Sequence, residues 1–186
     1  APVLRDAAKD WEPYALQLLM GVLDGNESAR LNKTLVRDSR IASSAGAGYD
    51  AVERGPGMIV VDGTPSEGKT VAELEVALRA QLEKVKMEGV TEDELQRVKS
   101  QIIAGQVYGL DSMFGQAMQI GRTENAGFSW RDLDVMLQKL RAITPDQVKE
   151  VAQKYLQDDR LTVAILDPQP IDKAPPRPTP EGLRHS

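Results

Sequence analysis

Eight residues carry the sharpest chemical pattern in the chain. Gly63-Thr64-Pro65-Ser66-Glu67-Gly68-Lys69-Thr70 matches G-x-x-x-x-G-K-[ST] at every defined position. In a phosphate loop that spacing lets backbone amides cradle an anion, while the lysine and the hydroxyl serve the phosphates and magnesium. The pattern lies between a strand-like run, Met58-Ile59-Val60-Val61, and a helix-like run, the context such a loop requires. The run Leu161–Leu166 followed by Asp167 imitates the magnesium-holding strand of the same enzymes. The wider pattern argues the other way. A phosphate-loop NTPase is a parallel sheet built by strand–helix alternation, and the chain from Lys69 to Tyr155 carries no strand signal. Glu67 would set a carboxylate among amides meant for an anion, and Asp167 runs straight into Pro168. The loop reads as a polar strand-to-helix connection, with nucleotide binding as the minor alternative.

The remaining catalytic inventory is thin. The single histidine, His185, stands one residue from the end, and there is no cysteine. The body of the chain therefore has no imidazole or thiol for a Ser-His-Asp or Cys-His arrangement, or for a zinc site built on those ligands. Carboxylates cluster at Glu92-Asp93-Glu94 and Asp158-Asp159, at helix starts and turns, where they serve the helix dipole. Gly46-Ala47-Gly48 lacks the third glycine of a dinucleotide fingerprint. The expectation is no catalytic, cofactor-binding or metal-ligating residue in this chain.

A net charge of -5 argues against nucleic acid as a partner. No apolar run approaches the roughly 18 residues of a membrane span. Aromatic residues make up 4%, so the core must be Leu, Val, Ile, Ala and Met. With no initiator Met and no signal-peptide pattern, Ala1 reads as a cut point within something longer. The lack of cysteine fits cytosol or periplasm equally.

Spacing predicts a helix over 10–24, with Asp10 as N-cap and Gly25 as its stop, then a helix over 26–37 with Leu31 and Leu35 inward. The small residues of 42–52 and the run 58–61 predict two strands, joined too tightly for a crossover and therefore antiparallel. A helix follows over 69–88. Thr91 to Glu94 is a capping box opening another, whose apolar face continues through Leu95, Val98 and Ile102 to Leu110, Phe114, Ala117 and Ile120, with a bend near Gly109. Residues 130–142 are helical, and Thr144-Pro145-Asp146-Gln147 caps a helix burying Val148, Val151, Ala152 and Tyr155. Leu161–Leu166 predicts a buried strand. Six of the eleven prolines crowd into 168–180, so 169–186 should be an extended or disordered tail behind a domain over 1–168. Its Pro175-Pro176-Arg177-Pro178 formally contains a PxxP ligand, but composition favours a plain tail.

Several phrases in this order resemble the second half of the duplicated unit of the pitrilysin/insulinase-type zinc peptidases, the group that includes mitochondrial processing peptidase. They are Leu18-Leu19-Met20-Gly21-Val22-Leu23-Asp24-Gly25, then Ser28-Ala29-Arg30-Leu31, then Gly89-Val90-Thr91-Glu92-Asp93-Glu94-Leu95 with Lys99, and Ile143 to Val148 leading to Val151-Ala152-Gln153-Lys154-Tyr155-Leu156. The resemblance covers about 8–168. It implies an α+β fold, a small antiparallel or mixed sheet with helices packed on one face. In that family an inverted His-x-x-Glu-His motif in the first half holds zinc, and this chain has no such motif. Some second halves supply an Arg and a Tyr, seven residues apart, to the substrate. Matching Ile41-Ala42 to the family's small apolar pair puts Val36 at the Arg position and Ser43 at the Tyr position. Arg37 and Tyr49 cannot be brought into that register.

The resemblance therefore implies a non-catalytic C-terminal domain that forms chamber wall and subunit contacts. Its expected partners are the first half of the parent chain, a homologous Arg/Tyr-carrying subunit or a second copy, and the peptide substrate of the assembly. Zinc is expected only in the parent's first half, and a periplasmic location is favoured for a bacterial parent. The alternatives are an assembly module from a chain wholly without protease activity, and the phosphate-loop nucleotide binder.

Overall fold

The computed structural model describes residues 1–109 and 111–169. Helix α1 (Glu12–Asp24) forms the centre, because apolar residues occupy almost every face of it: Tyr14, Ala15, Leu16, Leu18, Leu19, Met20, Val22 and Leu23 are all buried. A helix apolar all round must be covered all round. α6 (Pro145–Tyr155), α3 (Glu92–Gly109), α5 (Leu133–Ala142) and strand β1 (Ala42–Gly48) supply that cover. Asp10 is not the N-cap of α1. Trp11 holds that position without a side-chain bond, while the Asp10 carboxylate accepts the backbone N–H groups of Arg5 and Asp6 and closes the turn before the helix.

Gly21 sets the α1–α3 distance. A Cβ there would stand 2.4 Å from Val98 Cγ1, so the missing side chain is what lets the two helices meet. The predicted helix over 26–37 is different in kind. Residues 26–29 are turns and bends, and Asn32–Asp38 is a π-helix, a wider coil whose spacing the heptad-like positions of Leu31 and Leu35 do not reveal.

β1 pairs antiparallel with β2 (Val60–Pro65), as the tight connection requires, in the register Ala47↔Val61 and Ser44↔Thr64. The first strand is shorter than predicted, ending at Gly48, and the second lies two residues later than predicted. Helix α2 (Val71–Glu88) packs on β2 and α6, and α1 on β1. Gly89 ends α2 at φ 76°, a left-handed conformation that suits glycine.

Further expectations fail. Gly109 does not bend one long helix; α3 ends there, and α4 (Met113–Asn125) begins after Ser112, whose hydroxyl accepts the Gly115 N–H. Leu95 and Val98 of the predicted apolar face are buried, but beyond the junction it is not core: Phe114 is 75% exposed and Ile120 40%, while Leu110 lies outside the described residues. Residues 161–166 form no strand. They carry no regular secondary structure and no ladder partner among the described residues, and Leu166 is 86% exposed. The predicted helix over 130–142 opens with a 3-10 turn, Trp130–Asp132, before α5. Most of the Pro-rich stretch, with His185, lies outside the described residues. Among those described, no helix is long and apolar enough to cross a membrane.

Candidate functional site

The phosphate-loop pattern dissolves once its atoms are placed. Gly63, Thr64 and Pro65 belong to β2, which is antiparallel to β1, so the loop leaves no parallel sheet behind it. Thr70 is the N-cap of α2. Its hydroxyl accepts the Glu73 N–H at 3.2 Å, while its own N–H and O–H donate to Glu73 Oε2 at 2.8 and 2.9 Å. The hydroxyl that should face magnesium is consumed in a capping box, and the helix N-terminus that should receive a phosphate already holds a carboxylate. Bonds from Thr70 hold the Glu73 carboxyl below its ordinary range, with Lys69 adding a smaller attraction. Lys69 Nζ lies 3.7 Å from Glu73 and is solvent-exposed. The pairing Thr70–Glu73 is an S/T-x-x-E signature that the stronger-looking motif masked.

Val36 and Ser43 lie on two consecutive elements, the π-helix Asn32–Asp38 and strand β1. Val36 lies in the last turn of the π-helix and packs partly against the core. Ser43 is exposed on β1, and its hydroxyl donates to the Thr64 carbonyl at 3.2 Å. Between them the backbone is irregular at three points. The π-helix ends at Asp38, where the Ser39 hydroxyl donates to the Thr34 carbonyl at 2.7 Å. Arg40 has φ 51°, in the left-handed region. The register slips between Ala42 and Ser44, which makes Ser43 the extra residue of a bulge. Bulges and π-turns re-aim side chains, and they recur beside functional sites. Neither leaves a mark in a single sequence, which is why only the position of the junction was legible beforehand.

This junction carries little chemistry of its own. A valine offers no donor, and Ser43 already gives its hydroxyl proton to the strand. Arg37 is turned back to the Glu27 carbonyl at 3.4 Å. Zinc does not fit: among the described residues no three of His, Cys, Asp and Glu come together in a way that could hold a metal ion.

The phrases that carried the family resemblance turn out to be packing devices. Arg30 donates to both oxygens of Glu94, from Nε at 2.8 Å and from a terminal nitrogen at 2.7 Å, and that nitrogen also reaches the Gly89 carbonyl. This fork holds the Glu94 carboxyl at about 2, opposed by burial and assisted by the Thr91 N–H. Lys99, buried on α3, donates to the Ile143 carbonyl at 2.6 Å, at the C-cap of α5. Asp24 accepts the Asn32 amide and the Ala47 N–H, tying α1 to the π-helix and to β1.

With this geometry in hand, the chain is similar to known proteins as follows. The family described as the peptidase M16 inactive domain matches residues 5–102. An uncharacterized zinc protease of Mycobacterium leprae is 26% identical over 175 residues, which is 94% of this chain and 39% of that protein. The chain thus spans about two fifths of the length of that relative. A solved structure described as the inactive peptidase domain of a zinc protease from Bordetella parapertussis superposes with TM-score 0.73 at 21% identity, over 89% of each chain. A solved protease from Helicobacter pylori superposes with TM-score 0.73 at 22% identity, over 85% of this chain and 37% of its own. At these identities the solved structures speak for the fold: a helical majority with a small antiparallel sheet.

Proposed function

This chain belongs to the peptidase M16 inactive-domain family, and on that premise we propose that it is the non-catalytic part of a larger zinc-protease-like protein, contributing chamber wall and subunit contacts. The observation that carries the reading is the match to the inactive domain over residues 5–102, on a chain whose described residues hold no metal-ligating cluster. Zinc and the hydrolytic groups belong, on this reading, to the first half of the parent. The partners are that half, and beyond it a homologous subunit or a second copy. Residues 1–168 are the working domain and 169–186 a tail. A periplasmic location is part of the proposal for a bacterial parent.

Val36 and Ser43 take the places of the Arg and Tyr that other second halves aim at substrate. The π-helix end, the positive φ of Arg40 and the bulge at Ser43 support this as a place where side chains are re-aimed, while Val36 has no donor and Ser43 spends its hydroxyl proton on the Thr64 carbonyl. Oxyanion-type donors are worth about 3–4 kcal/mol each where they act. A domain without them is silent towards a peptide carbonyl.

The test separates this chain from its parent. Metal analysis after dialysis should find no stoichiometric zinc on this chain and one per full-length parent. The separately produced first half should bind this chain in a pull-down at micromolar concentration. One tight zinc on this chain alone, or a first half that ignores it, would overturn the reading.

A further inference from the structure

Helix α4 wears its apolar side outward. Phe114 and Gly121 stand two turns apart on one side of it, with Ala117 between them and Met113 and Met118 flanking. All five are exposed, Met113 at 89% and Met118 at 49%. The opposite side carries the polar residues and meets the rest of the chain. The Gln119 side-chain amide donates to the side-chain oxygen of Gln106, and Thr123 is the residue that the helix buries. A Cβ on Gly115 would stand 3.0 Å from the Gly109 carbonyl oxygen, so the helix start sits close on the end of α3. Arg122 donates to Asp50 at 2.9 Å, and Glu124 accepts the Trp130 N–H at 2.8 Å. Polar ties anchor this helix, and its apolar side stays in solvent.

A 13-residue helix with two glycines is marginal in water unless its apolar face is packed. Gly121 sharpens the point. A Cβ there would meet no atom of the described residues within 4 Å, so the chain's own packing gives no reason for glycine where alanine makes the better helix. Charge points the same way. Between Lys99 and Arg122 the one charged residue is Asp111, where the chain's average of 27% would put about six. An exposed face without charge, bearing a phenylalanine and two methionines, has the composition of an interface core.

We propose that this side of α4 pairs with the same side of α4 in a second copy, antiparallel about a two-fold axis between Ala117 and Met118, so that each Phe114 seats on the other copy's Gly121. A knob and a gap two turns apart on one face close such a contact on itself. The ends agree in charge. Asp111 stands before the helix and Arg122 near its end, so antiparallel copies bring opposite signs together and parallel copies like signs. A lipid surface fits less well, because the helix offers it a single arginine, already paired with Asp50. The inference deepens the subunit contacts of the proposed function and rests on that reading. One helix face per copy is less than the roughly 800 Å² that each partner gives to a standard interface. Association is therefore reversible, with a dissociation constant on the order of 10 µM.

Sedimentation of the 186-residue chain up to about 200 µM, well above that constant, should show a monomer–dimer equilibrium. Phe114→Glu should weaken it at least about twentyfold while leaving the circular dichroism spectrum unchanged. Gly121→Ala should raise the melting temperature of the dilute chain yet weaken the dimer at least about fivefold, a split that a glycine serving only its own chain would not give. The chain contains no cysteine, so single substitutions read the register. Under mild oxidation A117C, beside the axis, should form a disulfide-linked dimer. M113C should stay reduced, since its two copies lie about 13 Å apart along the helices, beyond disulfide reach. A natively folded chain that stays monomeric at about 200 µM overturns the proposal, as does M113C that cross-links as readily as A117C. A monomeric chain that binds phosphatidylcholine vesicles, and loses them with Phe114→Glu, overturns it in favour of a lipid surface. A monomeric chain that loses the separate first half with Phe114→Glu overturns it too, while leaving the proposed function standing. A dimer lost with Phe114→Glu, beside a first half that binds neither protein, does the reverse.

Discussion

Arg30 grips Glu94 with two bonds, 2.8 and 2.7 Å, across 64 positions of sequence, and in doing so fastens the turn after α1 to the first turn of α3. The same Glu94 oxygen accepts the Thr91 N–H at 2.9 Å, so one carboxylate serves both the helix cap and the tertiary clamp. One terminal nitrogen of Arg30 is buried without a protein partner.

The clamp makes stability depend on acid. The Glu94 carboxyl is held at about 2 in the folded chain against 4.5 as its ordinary value. A depressed carboxylate contributes stability above its unfolded value, and that contribution is lost as pH falls from about 4.5 towards 2. We expect a loss on the order of 2 kcal/mol across that window. Urea midpoints at a series of pH values check it. Arg30→Ala should cost roughly 2–3 kcal/mol at neutral pH and flatten the acid limb; an unchanged acid limb in that variant would contradict the assignment.

Gly21→Ala should destabilise by about 1–3 kcal/mol, although alanine favours helix, because the new methyl meets the buried, β-branched Val98. Shortening the neighbour in Gly21→Ala/Val98→Ala should recover part of the loss relative to the sum of the single changes. Strict additivity in thermal melts would deny the contact.

Thr70→Ala should cost about 1 kcal/mol through the lost cap, while Lys69→Ala should stay within about 0.5 kcal/mol. Calorimetric titration with magnesium-ATP should give no heat for the wild type. Micromolar binding abolished by Lys69→Ala would restore the nucleotide reading.

Val36→Arg with Ser43→Tyr should fold with a loss of less than about 1.5 kcal/mol, because Ser43 is exposed and Val36 is only partly buried. A long arginine can carry its charged head out to water from such a position. Aggregation of the double variant, or a loss above about 3 kcal/mol, would place Val36 in the core and remove the basis for its assignment.

Much of this was legible in the chain because it is helix grammar. The capping boxes at Thr91–Glu94 and Thr144–Gln147 are local signals with local causes, and both form as spelled. The antiparallel hairpin followed from connection length alone. What sequence could not show depends on partners. Leu161–Leu166 has the composition of a strand but no edge to join among the described residues, and Phe114 and Ile120 have apolar spacing but stay exposed. The π-helix and the bulge at Ser43 are hydrogen-bond shifts of one residue, invisible to any pattern with a fixed period. Arg30 and Lys99 were part of the phrases that resembled a peptidase, yet spacing gave no hint that one would clamp Glu94 and the other cap α5.

The centrality of α1 has a cost during synthesis. Its cover comes last: α6 closes over it through the Lys154 and Tyr155 bonds to Glu12, and more than a hundred residues separate Asp24 from the end of that helix. At a translation rate of about 5–20 residues per second, the greasiest segment of the chain waits on the order of 10 s beyond the ribosome before its last wall arrives. Until then it is exposed apolar surface of the kind chaperones bind, and a nascent chain stalled before Pro145 should be held by them.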